Sequence, residues 1–362
     1  MFQGRIAAGP LTVAAIAGFP PEIDALSAQA QPGTGFLRAA WYRGDGTQAG
    51  TTLVVRRCEG GDMIAAIPLV PFGPALAGAR KVAGLYWPFR SIALASDCTQ
   101  HELASALAHK DARALGPVWR LGPARMDDPV TLTLIAAAIA AGWRVLSRPA
   151  GTSWVIDLDA MRTTGLPRNS VARKLRAGWR KLEALGTPHW RSISGAQWTD
   201  SVLNDLAKIE ANSWIARTTD GSGAKFLNPD HRAYWSAVLA DDVLAERLSA
   251  TILMLDERPI AFSFDLDDGP IRYAIAGSHA EDLKHCYIGK HVNYRALEEC
   301  LASPLSRFDL GSGDSGYKRE MGAEPGYNMS DLLLVRSQLA AWALAKAWGP
   351  PIDAPEPSSA HD

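Results

Sequence analysis

Apolar and polar positions alternate in short runs along the first half of the chain, a pattern that predicts strands separated by turns and helices. Apolar and β-branched residues at 51–55 and 63–69 flank the turn-forming segment 58–62, which predicts a β-hairpin. Apolar residues recur at helical spacing over 130–141, and Asp128 stands where a helix-capping side chain is favoured. Short apolar runs predict two further strands, at 118–121 and 154–158.

The second half carries clearer strand signals. Turn-forming residues at 256–259 and 267–270 separate three apolar runs, which predicts a three-stranded antiparallel meander. An amphipathic basic helix is expected at 169–185, at the start of this half. The other predicted elements are helices at 200–216, 229–239 and 288–302, and strands at 248–255, 260–266, 271–277, 307–310 and 329–335.

The length of 362 residues favours two domains of ordinary size, and 47% apolar with 21% charged residues is typical of a globular protein. We therefore predict an α/β (α+β) fold with a first domain at 1–160 and a second at 161–340. The final segment, 349–362, is rich in Pro, Ala, Ser and acids and is expected to be disordered.

The net charge and the cysteine positions limit the classes of protein to which this chain can belong. A net charge of −1 gives no global field to attract nucleic acid or anionic membrane, so such binding needs a local patch. The four cysteines are scattered without a metal or redox spacing, and the histidines are dispersed, so no metal is expected. The apolar run 132–142 is far shorter than the roughly 20 residues of a membrane span. We expect a cytoplasmic protein without a transmembrane segment, of undetermined oligomeric state.

Two segments carry candidate chemistry. Residues 307–318 pass from a strand end through a Gly/Ser/Asp loop to the pair Tyr317-Lys318, and such loops let backbone N–H groups approach a ligand closely. Upstream, residues 286–291 place a glycine and two basic groups at the predicted start of a helix, where anions are favoured. Together they indicate a transferase that binds a phosphate-bearing donor.

The order and spacing of several motifs resemble a branch of the GNAT N-acyltransferases, the CelD/BcsL-like acetyltransferases, which are related to FemAB-type aminoacyltransferases. The residues that carry the resemblance are Arg173-Lys174-Leu175-Arg176…Arg180-Lys181-Leu182, Ile209-Glu210…Ser213-Trp214, Pro259-Ile260-Ala261-Phe262, Tyr287-Ile288-Gly289-Lys290 and Phe308-Asp309-Leu310-Gly311-Ser312-Gly313…Tyr317-Lys318. It is strongest over about 165–335. It implies two GNAT-like domains, each with a mixed, mainly antiparallel sheet flanked by helices, and acetyl-CoA or another acyl-CoA as the donor.

The resemblance also implies roles for particular residues. Tyr317 followed by Gly322 matches the family's Tyr-x-x-x-x-Gly setting, so Tyr317 is the candidate general acid. Lys318 is expected to stabilise an oxyanion or hold a phosphate. The candidates for the base are Glu210, on a helix expected to border the acceptor, and Asp309, Asp314 and His279; the amine could also lose its proton to water. The donor's phosphates are expected at Tyr287, Ile288, Gly289, Lys290 and His291, and the candidate acceptor-binding residues are Trp214, His279, Asp314, Arg173 and Arg180.

Three functions follow from this pattern. The first is an acyl-CoA-dependent N-acyltransferase that modifies an amine on a sugar, lipid or cell-envelope (exopolysaccharide) precursor by direct attack on the thioester. The second is a FemAB-like transferase that uses aminoacyl-tRNA, which the arginine face at 162–181 supports; a solvated polar face is the alternative interpretation of the same arginines. The third is a catalytically silent GNAT-like scaffold of polysaccharide synthesis, because Cys286 and His291 replace the usual residues of the pyrophosphate loop.

Overall fold

The computed structural model describes residues 11–44, 50–165, 169–218, 223–313 and 316–352. The chain divides into two compact units. One contains the chain up to Gly151 and again from Tyr327, and the other runs from Thr152 to Gly326. Residues 327–340 therefore lie with the amino-terminal half, whereas the sequence analysis assigned them to the second domain.

β-Strands form the sheets of both units. They are β1 (Thr12–Ala17), β2 (Thr51–Arg56), β3 (Met63–Pro71), β4 (Arg80–Val82), β5 (Ala93–Leu94), β6 (Val118–Arg125), β7 (Arg144–Asp157), β8 (Pro188–Ser194), β9 (Leu248–Leu255), β10 (Arg258–Asp268), β11 (Ile271–His279), β12 (Arg307–Ser312) and β13 (Glu324–Val335). The boundaries between the units fall within β7 and β13.

Helices connect these strands. They are α1 (Ile23–Ala28), α2 (Ala39–Arg43), α3 (Gln100–Ala108), α4 (Lys110–Ala114), α5 (Pro129–Ala140), α6 (Leu158–Thr164), α7 (Asn169–Glu183), α8 (Asp200–Ala211), α9 (Trp214–Thr218), α10 (Pro229–Leu239), α11 (Asp242–Arg247), α12 (Ile288–Leu301), α13 (Tyr317–Glu320) and α14 (Gln338–Trp348). Short 3-10 helices span Ala75–Ala77, Gly195–Gln197 and Glu281–Cys286. No helix in the described ranges is long and apolar enough to cross a membrane.

The sheet of the first unit has the strand order β1-β2-β3-β4-β6-β13, and β5 pairs with β3. The β4–β6 pair is parallel, and the other pairs of this unit are antiparallel. The predicted hairpin is confirmed as β2 and β3. The predicted cap is also confirmed, because the Asp128 carboxylate accepts the backbone N–H of Thr131 at the start of α5.

The second unit has the strand order β7-β12-β11-β10-β9-β8, with the predicted meander at β9, β10 and β11. Its parallel pair, β11 with β12, is in register from Ile271–Arg307 to Tyr273–Asp309. Beyond Tyr273, β11 continues to His279 and β12 continues to Ser312, without further pairing between them among the described residues. The two strands therefore part and leave an opening in the sheet.

The basic helix α7 lies close against the segment that precedes α12. A Cβ added at Gly178 would lie 2.3 Å from the carbonyl oxygen of Cys286, a contact that real Cβ atoms do not make. Glycine therefore costs α7 some helix propensity, and in return it lets α7 approach this backbone closely. Leu182 of the same helix is fully buried in a cluster with Cys286 and Val292.

The fold-class prediction is confirmed: both units are mixed α/β, with mainly antiparallel strands and flanking helices. Some details were wrong. The helix predicted at 200–216 ends at Ala211, and α9 begins separately at Trp214. Residues expected in a disordered tail instead pair with β7, since Ser147 N–H donates to the Pro350 carbonyl and Ile352 N–H to that of Val145. Residues 353–362 lie outside the described ranges.

Candidate functional site

The start of α12 lies on the chain segment that links the two parting strands, β11 and β12. Tyr287 precedes the helix in the left-handed conformation, with φ of 58°, and no side chain caps the helix start within the described structure. The first backbone N–H groups of a helix have no acceptor within the helix, and together with the helix dipole they favour an anion. The geometry predicted for a phosphate at residues 287–291 is therefore present in the backbone.

A close contact joins the end of β11 to the first turn of α12. A Cβ added at Gly289 would lie 2.8 Å from Nδ1 of His279, so only glycine leaves room for the imidazole there. Burial lowers the pKa of His279, and Lys284 lowers it further while Glu281 acts in the opposite direction. Burial therefore favours the neutral imidazole of His279, which can donate or accept a hydrogen bond beside the helix start.

The basic side chains of this turn are engaged elsewhere. The ammonium of Lys290 forms an ion pair with the Glu320 carboxylate, and the Tyr294 hydroxyl donates to the Glu320 carbonyl at 3.2 Å. Lys290 thus holds α13 against α12 instead of standing free for a phosphate. His291 is buried, and burial lowers its pKa to about 4, an effect that the Leu175 carbonyl partly offsets. A positive His291 at neutral pH, as the sequence suggested, is therefore excluded.

Lys318 hydrogen-bonds the backbone of the glycine loop. Its side chain is buried, and Nζ donates to the carbonyls of Gly311 at 2.7 Å and Ser312 at 2.9 Å. Burial lowers the pKa of Lys318 to about 8, and the charge of Asp309 partly offsets that effect. Next to it, Tyr317 begins α13 and packs, half-buried, against the cluster that contains Met321.

The Asp309 side chain has hydrogen-bond partners both on β7 and on its own strand β12. Its fully buried carboxylate accepts the Ser153 hydroxyl from β7 and the Gly311 backbone N–H at 2.9 Å. These bonds lie at the irregularity between Asp309 and Ser312, where β12 has parted from β11 but still pairs with β7. The sequence analysis predicted that Asp309 accepts a proton. Its position suits it better to holding the loop and the ammonium of Lys318.

The prediction for Glu210 needs the same correction. The sequence analysis placed it on a helix beside the acceptor, but its side chain is buried, and its carboxylate accepts the backbone N–H groups of Lys225, Phe226 and Leu227, each at 2.8 Å. Burial raises the pKa of Glu210, and the three N–H donors oppose that rise. Both oxygens are committed to organising residues 225–227, so the geometry gives Glu210 no free oxygen for a base.

The remaining candidates are dispersed. Trp214 is exposed at the start of α9, and Arg173 is exposed on α7. Arg180 lies on the same helix and lines a groove against α12. Asp314 falls outside the described residues. Among the described residues no group of three or more His, Cys, Asp or Glu could hold a metal ion.

The structure thus places His279 against the start of α12 and places Asp309 and Lys318 together at the glycine loop next to Tyr317. The carboxylate of Glu210 instead bonds the backbone of residues 225–227. The sequence analysis missed Ser153 and Glu320, which complete this arrangement through long-range contacts. A pattern of apolar spacing contains no signal for either partner.

Part of the second unit is similar to a known domain family. Residues 169–319 match a family model described as an acetyltransferase (GNAT) domain. No curated protein matches the sequence. The family match covers α7 to α13, the part of the chain that contains the opening and the start of α12.

Solved structures with the same fold include FemX, with a TM-score of 0.60 and 11% identity over 89% of this chain and 97% of FemX. The C-terminal DUF2156 domain of a lysylphosphatidylglycerol synthetase candidate from Agrobacterium fabrum has a TM-score of 0.55 and 14% identity, covering 90% of this chain and 94% of that domain. L-PGS from Bacillus licheniformis has a TM-score of 0.54 and 12% identity, covering 92% and 98%. Identities this low show the fold alone, and the CelD/BcsL-like branch stays a prediction.

The pKa of Lys318 predicts a pH effect on stability. The folded protein releases this proton at about pH 8, whereas the unfolded chain keeps it to about 10.5. Between these values the unfolded state binds more protons, so stability rises with pH. From neutral pH to pH 10.5, urea unfolding should show wild type gaining on the order of 2 kcal/mol relative to Lys318→Met. The free energy of unfolding of the exposed control Lys174→Met should change with pH as that of wild type does. A difference between wild type and Lys318→Met that stays the same at every pH would contradict the account.

A second prediction concerns Glu210→Gln. The amide group of glutamine presents N–H groups to at least one backbone N–H that needs an acceptor, so a buried donor stays unsatisfied. The free energy of unfolding should fall by about 1–3 kcal/mol in chemical denaturation. Glu257→Gln, in the exposed turn between β9 and β10, should change it by less than about 0.5 kcal/mol. Equal effects of the two substitutions would show that the three bonds do not matter.

Proposed function

We propose that this protein is an N-acyltransferase that moves an acyl group from coenzyme A to an amine. The observation that carries the proposal is the parting of β11 and β12 after Tyr273 and Asp309, next to an uncapped helix start. An extended thioester can enter between the two strands while its phosphates bind the backbone N–H groups of Ile288, Gly289 and Lys290. The match of residues 169–319 to an acetyltransferase domain supports this assignment.

In the proposed reaction the amine of the acceptor attacks the thioester carbonyl, the new C–N bond forms and the C–S bond breaks. The leaving thiolate takes a proton from the Tyr317 hydroxyl, which regains one from solvent. The amine proton passes to water, because the carboxylates of Glu210 and Asp309 are engaged in structural bonds. The ammonium of Lys318 provides positive charge near the carbonyl oxygen as negative charge develops there.

The acceptor is proposed from the resemblance to the CelD/BcsL-like branch, as an amine on a sugar, lipid or cell-envelope precursor.

A second candidate donor is an aminoacyl-tRNA. It is favoured by the exposed cations that α7 presents, namely Arg173, Lys174, Arg176, Arg180 and Lys181. RNA binding to such a face would weaken steeply with salt. A catalytically silent scaffold is the third candidate, because the buried Cys286 cannot bind a pyrophosphate as an exposed arginine would.

The contact between Gly289 and His279 provides a test of donor binding. Acetyl-CoA at about 100 times its dissociation constant should stabilise the protein by about 2.7 kcal/mol, seen as a higher melting temperature. Gly289→Ala forces the imidazole out of its place, so it should weaken acetyl-CoA binding about tenfold or more, a loss of about 1.4 kcal/mol. Gly223→Ala, where an added Cβ meets nothing within 4 Å, is the matched control and should bind as wild type does.

The same experiment separates the candidates. If wild type shows no shift with acetyl-CoA, longer acyl-CoAs or free coenzyme A, the first candidate is excluded. A shift with total aminoacyl-tRNA that deacylated tRNA does not produce would favour the second one.

Tyr317→Phe tests the catalytic step. Loss of the hydroxyl should lower kcat by about 10²-fold or more while KM for the acyl donor changes little, because the proton is needed as the thiolate leaves. Tyr86→Phe, an exposed tyrosine in the first unit, should leave kcat unchanged. Full activity of Tyr317→Phe would remove Tyr317 from the mechanism.

A further inference from the structure

A second depression lies in the second unit, between α7 and α12, with the edge strand β8 contributing to its lining. Its volume is about 430 Å³, within the range of small-molecule sites. Six of its lining residues carry the argument, and we call the depression that they line the α7–α12 groove: Arg176, Trp179, Arg180, Trp190, His291 and Arg295. The groups of the proposed coenzyme A reaction, Tyr317, Lys318 and the backbone of residues 288–290, do not line it. Arg176, Arg180 and His291, which the sequence pattern also offered for donor or acceptor binding, do line it.

Aromatic rings form one part of the groove. The rings of Trp179 and Trp190 are 6.1 Å apart at their centroids and inclined by only 22°, so their faces are nearly parallel. The imidazole of His291 lies 5.4 Å from the Trp179 ring. Both indoles are only half-buried, although burying such rings fully would stabilise the fold. They offer flat faces on which a planar ligand can stack.

Guanidinium groups form another part. Arg176 and Arg180 are one helical turn apart on α7, and in the described structure neither guanidinium group makes a hydrogen bond or an ion pair. Arg295 is held in place by Glu299, which accepts its Nε–H at 2.9 Å and also the Thr251 hydroxyl at 3.0 Å. The Arg295 guanidinium lies 5.8 Å from the Trp190 ring centre. Guanidinium groups so placed suit the paired oxygens of a phosphate.

A buried polar atom also lacks a partner here. His291 is only 8% exposed and lines the groove, and its Nε2 has no hydrogen-bond partner among the described residues. A buried nitrogen without a partner is costly unless a ligand or water satisfies it. This nitrogen faces Gly178 of α7 and is itself buried, so it adds nothing to the exposed surface, and the aromatic faces and unpaired guanidinium groups are what occur together in the groove.

We propose that the α7–α12 groove binds a nucleotide, with the base stacked on Trp179 and Trp190 and the phosphate held by Arg176 and Arg180. Base stacking on aromatic side chains is typical of single-stranded nucleotides, because a base inside a duplex has no free face. An acyl chain would not use three guanidinium groups. The nucleotide is either free or one unit of an RNA strand. This inference goes beyond the proposed function and holds whichever donor the protein uses.

The test measures binding of AMP, UMP and a single-stranded RNA hexamer by quenching of tryptophan fluorescence and by calorimetry. Arg176→Gln combined with Arg180→Gln should weaken binding about tenfold or more, since it removes both phosphate contacts. The matched control is Arg173→Gln combined with Lys174→Gln, which removes the same charge from the same helix outside the groove. Trp190→Leu removes one stacking face and should also weaken binding. Circular dichroism and melting temperature confirm that each variant folds.

Binding of free AMP or UMP that depends on Arg176 and Arg180 would support the proposal with a free nucleotide as the ligand. Binding of the hexamer alone, with the same dependence, would support it with RNA as the source. Absence of binding by all three probes would overturn it, and so would equal losses in the Arg176/Arg180 and control variants, which indicate charge alone. Acetyl-CoA binding, measured in the same variants, reports separately on the proposed function.

Discussion

The parting of β11 from β12 is the constraint on which the candidate site depends. Parallel pairing holds these strands together only from Ile271–Arg307 to Tyr273–Asp309. Where β12 has parted from β11, the carboxylate of Asp309 accepts the Ser153 hydroxyl and the Gly311 N–H, and Lys318 bonds the carbonyls of Gly311 and Ser312. A buried carboxylate and a buried ammonium thus satisfy backbone groups that a continuous sheet would otherwise have satisfied.

Several side chains that look catalytic in sequence are used to build this region. Glu210 holds three backbone N–H groups, and Lys290 pairs with Glu320. Charged groups buried in this way are costly unless they are paired, so their partners are part of the fold. The groups left near the opening are backbone N–H groups at the start of α12, the imidazole of His279 and the phenol of Tyr317. That set suits the binding of an anionic donor and protonation of its leaving group.

Sequence patterns predicted those elements whose contacts lie between residues close together in the chain. The hairpin β2–β3 and the meander β9–β11 follow from turn-forming residues between apolar runs, and the cap at Asp128 follows from its place before α5. Long-range pairings were not predictable in this way. No spacing shows that Glu210 bonds an N–H 15 residues away or that β13 pairs with β6, so Glu210 was predicted to be a base. Likewise, no local pattern shows that Gly178 lies beside the Cys286 carbonyl.

Hydrogen–deuterium exchange with and without acetyl-CoA tests the central claim most directly, because it reports where the donor binds without assuming any residue's role. Protection is predicted at the backbone amides that follow Cys286 at the start of α12 and at those of the end of β12. It should be absent from the strands of the first unit, β1 to β6. Protection restricted to the first unit, or unchanged exchange at saturating acetyl-CoA, would contradict the assignment of the opening as the donor site.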